Sequence, residues 1–274
     1  MRRFPILAAA CALSALVAQE AWAQQSAPAQ APAYTPTVGQ TGKDVVWVPT
    51  QARLVEQMLD MAAVTPQDRL VDLGSGDGRT VIAAAKRGLR AHGIEYNPDL
   101  VELSRRNAAA EGVSDRATFT QGDIFQSDFS EATVVTLFLL QSLNERLRPT
   151  LLDMAPGTRI VSNTFTMGDW APDQEVSGEP GCTSFCRAYK WVVPAKVDGQ
   201  WHTGNGQLVL TQHYQMLAGT LTVDGRVMEI TNGRMDGRRI SFTAGGRSYV
   251  GEAQGDRITG QVDGAGSWTA ERAG

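Results

Sequence analysis

From Gln51 onwards the apolar residues recur at two alternating periods. Leu54, Val55, Met58, Leu59 and Met61 stand at helical spacing, and Arg69-Leu70-Val71-Asp72-Leu73 is a short apolar strand ending in a Gly-rich turn. Residues 80–86 return to helical spacing, and 91–95 form a second strand. Asn97-Pro98 then opens a helix that runs to Ala108, with Asn97 as N-cap and Pro98 at its first position. Residues 117–121, 133–139 and 158–163 are three more strands. This alternation predicts an α/β fold, a doubly wound, Rossmann-like parallel sheet with helices on both faces. Ligands of such sheets sit at the carboxyl ends of the strands.

The pattern changes after Pro194. Residues 195–274 contain no proline, and short alternating runs recur at 207–210, 220–223, 227–230, 239–242, 248–251 and 257–260. Asp224-Gly225, Asn232-Gly233, Asp236-Gly237 and Asp263-Gly264 punctuate this region as hairpin turns. The spacing predicts a small antiparallel β domain, a meander forming a sandwich or partial barrel. The domains are thus expected at 44–195 and 196–274.

The N-terminus carries a different signal. Arg2-Arg3, an apolar stretch and Ala21-Trp22-Ala23 form an export signal over 1–23, with cleavage after Ala23. The apolar stretch is too short for a comfortable membrane span, so no stable span is expected once the signal is removed. Residues 24–43, rich in Gln, Ala and Pro, are expected to be a disordered tether. The expected location is periplasmic or secreted. Loss of Arg2, Arg3 and Glu20 moves the net charge from −4 to −5, and no basic run remains, which argues against nucleic acid as a partner. Residues 200–274 hold seven Arg and seven acids, so the β domain is neutral. Cleavage also leaves two cysteines, Cys182 and Cys186, an even pair suited to a disulfide in an oxidising compartment. With His92, His202 and His213 scattered, no metal site is expected.

The candidate chemistry gathers at strand ends. Asp72-Leu73-Gly74-Ser75-Gly76-Asp77-Gly78 turns sharply from strand to helix, and Gly74 and Gly76 allow a ligand to approach the backbone. Alone, such a turn also fits a dinucleotide site or a plain tight turn. Asp72 suits a ligand with a cationic amino-acid head better than a pyrophosphate. Glu95 ends the second strand where an acid accepts from ribose hydroxyls, and Asp123 follows the third, where an acid can accept from an adenine amino group.

This set, with Val48-Pro49-Thr50-Gln51 before the first helix, resembles motifs I to III of class I S-adenosylmethionine (SAM)-dependent methyltransferases. It is similar in particular to the lysine methyltransferases of the ATP synthase c subunit and the adenine nucleotide translocator. The resemblance covers about residues 44–195. It implies a seven-stranded sheet with SAM as cofactor. It also implies Thr50 and Gln51 near the methionine end of SAM, Asp72, Gly74, Ser75 and Gly76 beneath it, Glu95 on the ribose and Asp123 on the adenine. The β domain and the export signal depart from that family and leave the acceptor open. One reading is methyl transfer to an amine, a protein lysine in the cell envelope among them. A small-molecule O- or N-methyltransferase and a non-catalytic nucleoside-binding envelope protein are the alternatives. Candidate acceptor-side groups are residues 136–141 with Phe138, Asn144, Asn163-Thr164, and Asp169-Trp170; none identifies itself as a general base.

Overall fold

In the computed structural model the described residues are 34–177, 182–264 and 266–274. The expected export signal and residues 24–33 of the expected tether lie outside them. The α/β half comprises α1 (Ala52–Met61), β1 (Arg69–Leu73), α2 (Arg79–Lys86), β2 (Arg90–Glu95), α3 (Pro98–Ala110), β3 (Ala117–Gln121), β4 (Val134–Leu137), α4 (Gln141–Leu152), β5 (Arg159–Asn163), β6 (Gln174–Ser177) and β7 (Arg187–Val192). Its strands number seven, as the resemblance implied, and run in the order β3-β2-β1-β4-β5-β7-β6. β1 to β5 are parallel, while β7 pairs antiparallel with β5 and β6 antiparallel with β7. Strand addition reverses direction between β1 and β4, so the turn after Leu73 opens at the switch point where ligands bind.

Two apolar layers hold the sheet. On one face Leu54 and Leu59 of α1, Val81 of α2 and Val101 of α3 pack against Leu70 and Val134. On the other, Leu147 and Leu151 of α4 pack with Leu73, Val135, Ile160, Trp170 and Trp191. Each fully buried leucine of these layers contributes roughly 1.5–3 kcal/mol. All four residues of β4 are buried, as a central parallel strand covered on both faces requires. α3 begins as expected: the Asn97 side chain accepts the Asp99 N–H at 2.9 Å, with Pro98 following. Gln51 holds the cap position of α1 without a side-chain capping bond, and the Thr50 hydroxyl accepts from Asn163 Nδ2 at 3.1 Å.

The second half is a closed, eight-stranded antiparallel barrel: β8 (Gly199–Thr203), β9 (Gly206–His213), β10 (Met216–Val223), β11 (Arg226–Asp236), β12 (Arg239–Ala244), β13 (Arg247–Gln254), β14 (Arg257–Val262) and β15 (Gly266–Arg272). Trp201, Leu208, Leu221, Ile240, Phe242 and Ile258 fill its interior. The six expected runs all fall within strands. The two strands that went unread, β8 and β15, pair with each other (Ala270 opposite Thr203) and close the barrel. Asn232-Gly233 is not a hairpin turn. β11 passes straight through it as a bulge, with Asn232 at φ 53° and register shifts against both neighbouring strands. A barrel wall must bend there, and an extra residue supplies the bend.

The β9–β10 turn anchors the barrel on the sheet. Trp170 Nε1 donates to Gln215 Oε1 at 2.9 Å, Gln215 Nε2 donates to the Ala171 carbonyl at 2.8 Å, and the Tyr214 ring stacks 5.7 Å from Trp170. Residues 34–43 are likewise not a tether. Gly39 N–H donates to Trp47 O and Trp47 N–H to Gln40 O, both at 2.9 Å, and Thr41 bridges Val46. The composition of 24–43 concealed this, because the partners that order the segment, Trp47 and Asp123, lie beyond it.

Candidate active site

Above the carboxyl ends of β1, β2 and β4 lies a cavity of about 490 Å³. Of the residues singled out in the sequence, Thr50, Asp72, Gly74, Ser75, Gly76, Glu95 and Asp123 line it. Gln51 does not. It is exposed, and its Nε2 reaches Cys182 Sγ at 3.4 Å. The cap position turns its side chain away from the cavity that Thr50 faces.

The turn after β1 is locked from beneath. Gly74 and Ser75 N–H both donate to Ile94 O, Ser104 Oγ of α3 donates to Gly76 O at 2.9 Å, and Asn107 Nδ2 donates to Asp77 O at 2.9 Å. Gly76 has φ 56°, and a Cβ there would lie 2.7 Å from Trp47 Nε1. Glycine is therefore required both for the turn and for the close approach of the N-terminal segment.

The acids differ sharply in setting. Asp72 is buried, and burial raises its carboxyl to about 7 against the Thr136 hydroxyl, which donates to it at 2.7 Å; the Glu95 and Asp77 charges push the same way as burial. Glu95 is also raised by burial, although Gly76 N–H and Asn97 N–H each donate to it at 2.9 Å. Asp123 is lowered, chiefly by the Lys43 ammonium 2.7 Å away. Asp77 is gripped by Arg79 through two bonds of 2.9 and 2.6 Å, and Arg79 also donates to the Thr50 carbonyl at 2.7 Å.

The opposite end of the cavity is aromatic. Phe138 after β4, Phe165 after β5 and Phe185 before β7 all line it, with ring centroids 5.2 to 6.3 Å apart. Leu137, Leu139, Leu140 and Leu143 also line the cavity, Leu139 lying against Gly74. Phe138 was singled out in the sequence; Phe165, Phe185, Tyr96, Trp47 and Lys43 were not. An aromatic residue just after a strand end was the available signal for Phe165, and its bracketing by cysteines was the signal for Phe185.

Other sequence candidates lie elsewhere. Asn144 sits behind the wall, its Nδ2 donating to Ser162 Oγ and to the carbonyls of Phe165 and Thr166 at 3.2–3.3 Å. Gln141 bonds Glu145 and Thr166. Asn163 supports Thr50, and Thr164, at φ 65°, bonds Asn163. Asp169 and Trp170 belong to the barrel interface, where Asp169 accepts from Tyr214 and Arg148. Cys182 and Cys186 are joined by a disulfide. Among the described residues no cluster of His, Cys, Asp and Glu suits a metal ion.

A family model described as "ANTKMT methyltransferase domain" matches residues 72–174. A protein-lysine N-methyltransferase of Saccharolobus islandicus is 42% identical over 140 residues, which make up 50% of this chain and 87% of that protein. The rat lysine N-methyltransferase of the ATP synthase c subunit is 38% identical over 128 residues, 46% of this chain and 59% of that enzyme. A crystal structure described as an RNA methyltransferase from Salinibacter ruber in complex with S-adenosyl-L-homocysteine is 49% identical. It superposes with a TM-score of 0.51 over 55% of this chain and 96% of that one.

Proposed function

The chain belongs to the SAM-dependent methyltransferase family described by the ANTKMT methyltransferase domain, and on that footing we propose that it methylates the side-chain amine of a protein lysine. The observation that carries this reading is the two-ended cavity. Acids line one end, and the Phe138, Phe165 and Phe185 rings line the other.

The residues present fit SAM. Asp72 and Glu95, both raised by burial, line the cavity with acceptors for its cationic and hydroxyl groups. Asp72 would face the cationic amino group of the methionine part, Glu95 the ribose hydroxyls and Asp123 the adenine amino group. When bound, SAM supplies an electrophilic methyl group on a sulfonium. The chain's own residues then bind, orient and exclude water. Thr50, held by Asn163, and the Leu137–Leu140 stretch wall off the space between the two ends. Trp47 closes over Gly76 and Lys43 over Tyr96, at 4.9 Å. Alignment of a neutral amine nitrogen with the methyl group, in a site shielded from water, is the main catalytic demand.

The similarity to the Saccharolobus and rat enzymes, whose names specify lysine, supports a protein acceptor. The Salinibacter protein is described as acting on RNA. Here the net charge of −4 works against an RNA backbone. A place in the cell envelope is supported by the export-type N-terminus and by the Cys182–Cys186 disulfide.

Calorimetry of the full chain with SAM, followed by labelled methyl transfer into envelope extract and into total RNA, tests the reading. Label recovered as methyl-lysine after hydrolysis is the expected result. Label confined to RNA or to small molecules overturns it. Intact mass of the periplasmic form, expected to begin after Ala23, tests the location.

A further inference from the structure

Phe185 is one residue short of the end of a loop closed by the Cys182–Cys186 disulfide, whose Cα atoms are 5.9 Å apart. Its φ is 54°, a left-handed conformation that is costly for an aromatic residue and persists only where surroundings impose it. The residue is 39% exposed, yet its ring stands edge-on to Phe138 at 5.2 Å and tilted to Phe165 at 6.3 Å. Two further contacts fix the frame around it. Gln51 ties Cys182 to the start of α1, beside Thr50, and Asn144 clamps the carbonyls of Phe165 and Thr166 from behind.

We propose that Phe138, Phe165 and Phe185 form the apolar wall along which the methyl acceptor reaches the cofactor, with the Cys182–Cys186 bridge holding the third ring in place. The proposal rests on the amine reading above and names what selects the amine. The rings meet at interplanar angles of 28°, 68° and 44°. At 5.2 to 6.3 Å between centroids the rings touch one another, so no planar base can stack between them. Together they present one continuous apolar face to the cavity. That face suits an unbranched methylene stem carrying a terminal nitrogen, which is the shape of a lysine side chain. Aromatic faces also attract the methylated ammonium that forms there. In the step itself the lone pair of the neutral nitrogen makes the N–C bond as the methyl–sulfur bond breaks. The sulfur keeps the bonding pair and becomes a thioether, and the nitrogen gives a proton to solvent. Phe185 is on this account a specificity-determining residue, and the two cysteines are positioning residues.

The test compares the full wild-type chain with Phe185→Ala, Phe185→Leu and the Cys182→Ser/Cys186→Ser double variant. The acceptor probes are a blocked Gly-Lys-Gly tripeptide and n-butylamine, and SAM affinity is followed by calorimetry. All variants should bind SAM within about twofold of wild type. Phe185→Ala and the double variant should raise KM for both amines, lowering kcat/KM about tenfold, with kcat less affected; Phe185→Leu should recover part of the loss. Reduction of wild type should reproduce the double variant and leave the double variant unchanged. Unaltered kcat/KM in Phe185→Ala, with SAM binding intact, overturns the aromatic wall while sparing the amine reading. A wild type that binds SAM but methylates neither amine overturns the amine reading, and the wall with it. Thermal melting of each variant separates both outcomes from simple unfolding.

Discussion

Asp72 is placed under opposing demands at the scale of single residues. The fold buries it, which favours the neutral acid, whereas a cationic ligand requires the carboxylate. Its folded pKa of about 7 lies above the ordinary 3.8, so between those values the folded state holds a proton that the unfolded chain has lost. The stability it supports is present below about pH 4, declines as pH rises towards 7, and is absent above. Asp72→Asn keeps an acceptor for Thr136 and removes this penalty. The ligand-free variant should melt higher than wild type at about pH 8, with the gap closing by about pH 4, while calorimetry shows SAM binding lost. In the wild type, SAM affinity should weaken as pH falls below about 7. The acceptor responds to pH for another reason. The aromatic end is lined, among the described residues, by phenylalanines and leucines, so a lysine ammonium must lose its proton to solvent. With SAM saturating, log kcat/KM should rise with unit slope up to roughly pH 10, the ordinary lysine value. A plateau near neutrality would instead reveal a dedicated base. The acids of this site were legible because each stands at a strand end within its own local motif.

Elements show where local signals succeed and where they mislead. The β1–turn–α2 unit and the Asn97 cap of α3 follow directly from neighbouring residues. Asn232-Gly233 carries the same local chemistry as a hairpin turn, yet the chain continues as β11 because both flanking strands pair across the bulge. The left-handed Asn232 predicts a simple contrast. Asn232→Val should destabilise the protein by about 1–3 kcal/mol in denaturant unfolding, whereas Asn232→Gly should be nearly neutral. Equal losses from both variants would show that the side chain, not the backbone, matters there. The segment 37–47 misleads in the opposite sense. Its polar, Pro-containing approach reads as unstructured, but Trp47 against Gly76 and Lys43 on Asp123 order it over the cavity. Those partners lie 29 and 80 residues away, outside any window in which composition is read.

At the scale of the whole molecule, the barrel supports the acceptor wall from a distance. Its β9–β10 turn caps Trp170 and Ala171, in the same β5-to-β6 connection that carries Phe165. Gln215→Ala would strand a buried indole N–H and a backbone carbonyl, a loss of about 2–4 kcal/mol. The melting temperature should fall, and KM for the amine should rise before SAM affinity changes. A chain ended at residue 195 would uncover Trp170, which is fully buried, and should bind a hydrophobic dye. A well-folded, fully active truncated chain would show the barrel to be an independent appendage. The α/β alternation, the Gly-rich turn, the acids at the strand ends and the β character of the C-terminal half could all be read from the amino-acid order. Each of these depends on periodicity and turn chemistry among residues close in the chain. Folding in three dimensions was needed to show that β8 and β15 close the barrel, that residues 37–47 cover the cavity, and that Phe138, Phe165 and Phe185 meet at its far end. Those contacts join residues tens of positions apart, and no local period records which of them will touch.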